Sequence, residues 1–182
     1  MKLQKMFEIQ KTLDDRIIKE KGLEGQDLLP NLILALQVEL AECANEWRGF
    51  KHWSNDREPR TKHPLEVSPN GAFRRGGNPL LEEYVDCLHF ILSIGNKIGV
   101  KEYVPFKYIM LTNDITGLFN SIFKLIGQWD RLFLFIDHDP YHIVMYQFLQ
   151  LGEVLGFTPE QIEAAYMEKN AVNHQRQQER YL

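Results

Sequence analysis

Pro79-Leu80-Leu81-Glu82-Glu83-Tyr84-Val85-Asp86-Cys87-Leu88-His89-Phe90-Ile91-Leu92-Ser93-Ile94-Gly95-Asn96-Lys97-Ile98 reads as one long helix. Leu80, Leu81, Tyr84, Val85, Leu88, Ile91, Leu92 and Ile94 cover nearly its whole circumference, the pattern of a helix inside a bundle rather than on its surface. Pro79 suits a first turn, where no helical partner awaits its missing N–H, and Gly99 suits the stop. Glu83 and Asp86 stand three residues apart and so share a face. In so apolar a segment some of the acids must lie toward the core, where a charge needs a partner.

Working outward, helical periodicity continues almost everywhere, and apolar/polar alternation with hairpin turns is nearly absent. Further helices are expected over about Leu3–Lys21, Pro30–Trp47, Asp114–Trp129 and Pro140–Leu155. A last one opens at Thr158-Pro159-Glu160-Gln161, where Thr158 and Gln161 have the spacing of a capping box. The stretch from Gly49 to Asn78, rich in Pro, Gly, Arg and Asn, is expected to be a long loop with little regular structure. The fold class is all-α, a helical bundle with two facing acidic helices in a single domain spanning 1–182.

The chain has 182 residues, 44% of them hydrophobic, enough for one substantial core and too many for a disordered protein. With 21 Lys and Arg against 25 Asp and Glu the formal charge is −4, which argues against a polymeric nucleic acid as partner. No apolar run approaches the roughly 20 residues of a membrane span, and the start lacks a signal-peptide pattern, so a cytoplasmic location is expected. Cys43 and Cys87 are too few for a disulfide framework and are expected as buried thiols.

On the second helix Glu39 and Glu42 repeat the three-residue spacing, with Glu46 one turn on. Glu39-Leu40-Ala41-Glu42-Cys43 parallels Glu83-Tyr84-Val85-Asp86-Cys87, each an acid pair followed by cysteine. Two such helices facing each other would converge four carboxylates, which repel unless divalent cations neutralise them. Carboxylate oxygens suit Mg²⁺, or Mn²⁺, better than zinc. A hydrated magnesium site approached by cationic side chains suits phosphoanhydride chemistry. Cations lie at two places: Arg48 and Lys51 beside Trp53, and Lys169, Asn173, Arg176 and Arg180, which share one face of the last helix.

In this order, Glu39-x-x-Glu42, Glu83-x-x-Asp86, His89-Phe90 and the Lys169-Asn170-x-x-Asn173-His174-x-Arg176-Gln177 run resemble the dimeric all-α dUTPases of the all-α NTP pyrophosphatase superfamily. The resemblance spans most of the chain, from Gln10 to Tyr181. It implies a homodimer that uses Mg²⁺ and metal-activated water to hydrolyse dUTP to dUMP and pyrophosphate, and leaves dUDP open as a second substrate. It implies Glu39, Glu42, Glu83 and Asp86 as metal ligands and Glu39 and Asn173 as catalytic groups. Gln10, Trp53, His89 and Phe90 would contact the nucleoside, with Lys51 beside them; Lys169, Asn173, Arg176 and Tyr181 would contact phosphate and sugar. Gln10 is the expected reader of the uracil edge. Forty residues separate Glu42 from Glu83, more than the compact spacing of the superfamily, which points to an insertion around Ala72–Gly77. Glu82 also sits i,i+4 from Asp86, so the choice of Glu83 rests on the resemblance.

Three other readings share some of these residues. A housecleaning pyrophosphatase acting on dCTP or several nucleotides would use the same carboxylates. A di-iron bundle would need acid–histidine pairs such as Asp86/His89 and Asp139/His142. A non-enzymatic helical interaction protein would carry its acids on the surface and tolerate their loss.

Overall fold

The computed structural model describes residues 1–67, 74–100, 102–103, 113–129 and 139–179. Its order is α1 (Leu3–Lys21), α2 (Leu29–Trp47), β1 (His63–Val67), β2 (Arg74–Gly77), α3 (Pro79–Ile98), α4 (Ile115–Ile126), α5 (Asp139–Val154) and α6 (Pro159–Glu179). Gly22 and Gly99 close α1 and α3 in the left-handed conformation, and Asn78, expected as the last loop residue, caps α3 by accepting from the Leu81 N–H. At α6 the Thr158 hydroxyl accepts from Gln161 N and the Gln161 carbonyl accepts from Thr158 N, a reciprocal capping box. The fourth helix ends at Ile126 rather than Trp129: after Gly127 the Gln128 N–H bonds Leu125 O, three residues back instead of four, at 3.1 Å.

α3 is the axis of the bundle. Eleven of its residues are buried, and α2, α1, α5 and α6 all pack against it. Tyrosines tie the helices together through backbone carbonyls: Tyr84 of α3 donates to Phe148 O and Tyr141 of α5 to Ile91 O, and the Tyr166 hydroxyl of α6 shares its one proton between Met6 O at 3.2 Å and the Gln10 side chain of α1 at 3.0 Å. The first two crossings need glycine. A Cβ on Gly152 would stand 2.5 Å from the Tyr84 hydroxyl, and one on Gly95 would stand 2.5 Å from that of Tyr141. Both tyrosines are fully buried and cannot swing aside. Gly152→Ala or Gly95→Ala should therefore destabilise the protein by about 1–3 kcal/mol, the usual cost of overpacking, read as a lower urea midpoint at unchanged slope.

The 49–78 segment differs from the expectation of an irregular loop. β1 and β2 pair antiparallel, with His63 opposite Gly77, Val67 opposite Arg74 and an irregularity between His63 and Glu66. A two-stranded ribbon held by main-chain hydrogen bonds needs no alternating buried face, so it leaves little trace in a hydropathy pattern. Backbone bonds from Arg60 N to Glu46 O and from Leu80 N to Arg60 O stitch the approach to the ribbon onto the end of α2 and the start of α3. None of the described helices is long and apolar enough to cross a membrane.

Candidate active site

On α2, Leu36, Leu40 and Cys43 point into the core, and 100° per residue sets Glu39 at the edge of that face with Glu42 more exposed. On α3, Glu83 and Asp86 are half-buried among Tyr84, Val85 and Cys87. The helices face each other: Cys43 and Cys87 meet in the core as free thiols. One carboxylate oxygen each of Glu39, Glu83 and Asp86 lies within 4.8 Å of the others. Burial, then the charges of Asp86 and Glu42, push the Glu39 carboxyl up to about 7. Burial and the charges of Asp86, Glu42 and Glu39 push Glu83 up to about 8. Glu42 thus joins the cluster electrostatically. Crowded carboxylates that resist ionising together are what a hard divalent cation relieves, so the donor set fits Mg²⁺ or Mn²⁺.

Glu82 and Glu83 part company. Glu82 Oε1 accepts from Lys169 Nζ at 3.1 Å, whereas Glu83 belongs to the carboxylate trio. Lys169 also reaches Asp86 Oδ2 at 2.6 Å. Burial works against the lysine's charge, but the two carboxylates more than compensate and raise its pKa. Glu46 is instead held by Arg60 at 3.3 Å.

A cavity of about 620 Å³ runs from Glu39 and Asp86, past Lys169, Asn173 and Arg176, to Gln10, His89 and Phe90. Ile17, Ile18, Leu23, Leu28 and Leu32 give that far end an apolar wall. There Gln10, 3% exposed, has its amide fully engaged: Oε1 faces His89 Nδ1 at 2.6 Å and the Tyr166 hydroxyl at 3.0 Å, and Nε2 donates to Asp14 Oδ1 at 2.9 Å and Ser93 Oγ at 3.0 Å. The His89 ring stacks on Tyr166 with centroids 4.3 Å apart. Burial, then the Lys169 charge, hold its pKa down at about 3, so the ring is neutral. Its Nε2 is buried without a hydrogen-bond partner.

The structure thus gathers Gln10, Glu39, Asp86, His89, Phe90, Lys169, Asn173 and Arg176 around one cavity, with Glu83 adjoining and Glu42 at the rim. Gln10, the expected reader of the uracil edge, lines the cavity with its amide engaged by His89, Tyr166, Asp14 and Ser93. Neither Lys51 nor Trp53 is among the described residues lining the cavity. Arg48 ends α2 in the left-handed conformation with φ 65° and is held by Asp56 at 2.9 Å. Beyond that turn Trp53 is 68% exposed and packs edge-on against Phe50 and His52. Tyr181 and Arg180 lie outside the described residues. Asp14, Ser93 and Tyr166 were not singled out from the sequence. Their signal is spacing: Asp14 is four after Gln10, Ser93 four after His89, and Tyr166 three before Lys169, each on the face of a residue that was.

Among curated proteins no significant match to the chain is found. A family model described as dUTPase matches residues 2–67 and 72–181. The match resumes at Ala72, so the expected insertion around Ala72–Gly77 falls inside it, and between the two acid pairs only residues 68–71 lie outside. A match over nearly the whole chain, on a helical bundle that brings Glu39 of α2 together with Glu83 and Asp86 of α3, makes this chain a member of the dimeric all-α dUTPase family, an enzyme that hydrolyses dUTP.

Proposed function

We propose a Mg²⁺-dependent dUTP diphosphatase in which Glu39, Glu42, Glu83 and Asp86 hold the metal and the cavity lays out the nucleotide along its length. The observation that carries this reading is one cavity whose lining joins Glu39 and Asp86 of the carboxylate trio to the hydrogen-bonded Gln10–His89 pair and Phe90. When bound, the metal neutralises phosphate charge and polarises the phosphate oxygens. Glu39 orients the attacking water and takes its proton. The water oxygen bonds to phosphorus as the bond joining dUMP to pyrophosphate breaks. Lys169 and Arg176 stand beside the cluster as cations that match the charge of the phosphates, with Asn173 donating an amide N–H to them. At the far end the base lies against Phe90, its edge at His89 Nε2, the one buried polar atom of that network left unpaired.

A homodimer is part of this reading, supported by family membership and by Leu34 and Val38, four apart on the outer face of α2 and 62% and 48% exposed. A cytoplasmic setting is supported by two neighbouring cysteines that remain free thiols. The test is release of pyrophosphate and monophosphate from dUTP, dUDP, dCTP, dTTP, UTP and ATP, with Mg²⁺ and with chelator. Chelator-sensitive cleavage confined to dUTP and dUDP is expected. Equal cleavage of dCTP would move the enzyme to the housecleaning class, and chelator-resistant cleavage would remove the metal from the mechanism.

A further inference from the structure

The polar cluster at the base end of the cavity has a direction, and one residue sets it. Serine, tyrosine, neutral histidine and the glutamine amide can each be oriented to donate or to accept, so a network of these alone could run either way. Burial pushes the Asp14 carboxyl up to about 6, so above that pH it is ionised and cannot be turned around: the carboxylate only accepts, and both Gln10 and Ser93 hydrogen-bond to it. The amide of Gln10 therefore keeps Nε2 on Asp14 and Ser93, at 2.9 and 3.0 Å, which turns Oε1 toward Tyr166 and His89. An oxygen 2.6 Å from a ring nitrogen requires a proton on that nitrogen, so His89 is the Nδ1–H tautomer. Its Nε2 is consequently a bare lone pair, buried and unpaired.

We propose that Asp14 is a positioning residue for base selectivity: acting through Gln10, it holds His89 with a bare Nε2 that accepts a hydrogen bond from a pyrimidine carrying hydrogen on N3. Uracil meets that condition. Cytosine brings a lone pair at N3 and would face His89 acceptor to acceptor, the kind of mismatch that rejects a substrate far more strongly than a missing methylene. Asp14, Ser93 and Tyr166 need not touch the base. The placement of the base against His89 rests on the function proposed above, whereas the relay is a property of the free enzyme.

The two parts are measured separately. In histidine-¹⁵N-labelled free enzyme the His89 spectrum should show a protonated Nδ1 and an unprotonated Nε2. Asp14→Leu keeps the number of side-chain heavy atoms and removes the acceptors, and Asp14→Asn keeps size and shape while adding donors. In the leucine variant at least, a substantial share of His89 should move to the Nε2–H tautomer, and the dUTP-to-dCTP ratio of kcat/KM should fall at least about tenfold. That fall should come from a higher KM for dUTP and improved use of dCTP, with the Mg²⁺ dependence unchanged. A His89 that stays Nδ1–H in both variants overturns the relay. Parallel losses on dUTP and dCTP overturn it in favour of a merely structural Asp14. A wild-type Nε2 resonance unmoved by dUMP overturns the selectivity role by removing the base from His89, even if the tautomer switches.

Discussion

Glu39→Gln should lower kcat for dUTP by about 10²–10⁴, the loss expected when the group that handles the water's proton is removed, without unfolding the protein. The substitution is isosteric, at a half-buried position on the border of the core, and should leave the α2–α3 packing intact. A second effect runs the other way. A carboxyl pushed up to about 7 by burial and by its neighbours destabilises the folded chain whenever it is ionised, and glutamine does not ionise. In chelator at pH 8 the variant should therefore melt above the wild type while turning over far less substrate. Undiminished turnover would remove Glu39 from the mechanism. A lower melting temperature in chelator would show that Glu39 is not held at a cost.

The wild-type enzyme should lose stability as pH rises when no divalent ion is present, and Mg²⁺ should restore it. The unfolded chain sheds the protons of Glu39 and Glu83 near the ordinary value of 4.5, while the folded chain keeps them to about 7 and about 8. Between these limits the unfolded state binds fewer protons, so these two groups make the fold less stable with each step up in pH. A cation needs both carboxylates ionised, so its stabilising increment should be small at pH 5.5 and large at pH 8.5. Melting curves at the two pH values, with Mg²⁺ and with chelator, read both effects. Subtracting the same curves for Glu83→Gln isolates the cluster from the other titrating groups. An Mg²⁺ increment of equal size at both pH values, or one that survives in Glu83→Gln, would place the ion elsewhere.

The helices were legible because their signals are local. The 3.6-residue spacing of Leu80, Tyr84, Leu88 and Ile91, the proline at the start of α3, the glycine at its end and the Thr158–Gln161 capping box each act within one or two turns. The acid pairs of α2 and α3 were legible for the same reason, since three-residue spacing on a helix is a statement about one face. Even their convergence was foreshadowed by the parallel Glu39–Cys43 and Glu83–Cys87 segments, whose cysteines meet in the core.

What a single sequence could not supply were the outcomes of contacts between residues far apart in the chain. Glu82 and Glu83 have equal claims by spacing; they separate only because packing α3 on α2 brings Glu83, and not Glu82, into the trio with Glu39, more than forty positions back. The β1–β2 ribbon is a pairing of backbones, to which side-chain pattern is nearly blind. Lys51 and Trp53 follow α2 in sequence, but beyond the left-handed Arg48 and its bond to Asp56 neither joins the described lining of the cavity. Gln10 was visible as a polar residue in an apolar stretch, a pattern that suits a base reader. Its saturation by His89, Tyr166, Ser93 and Asp14 became apparent only when α1, α3 and α6 were packed together. Local chemistry is encoded by neighbours in the chain, whereas the direction of a hydrogen-bond network depends on every partner that folding brings within 3 Å of it.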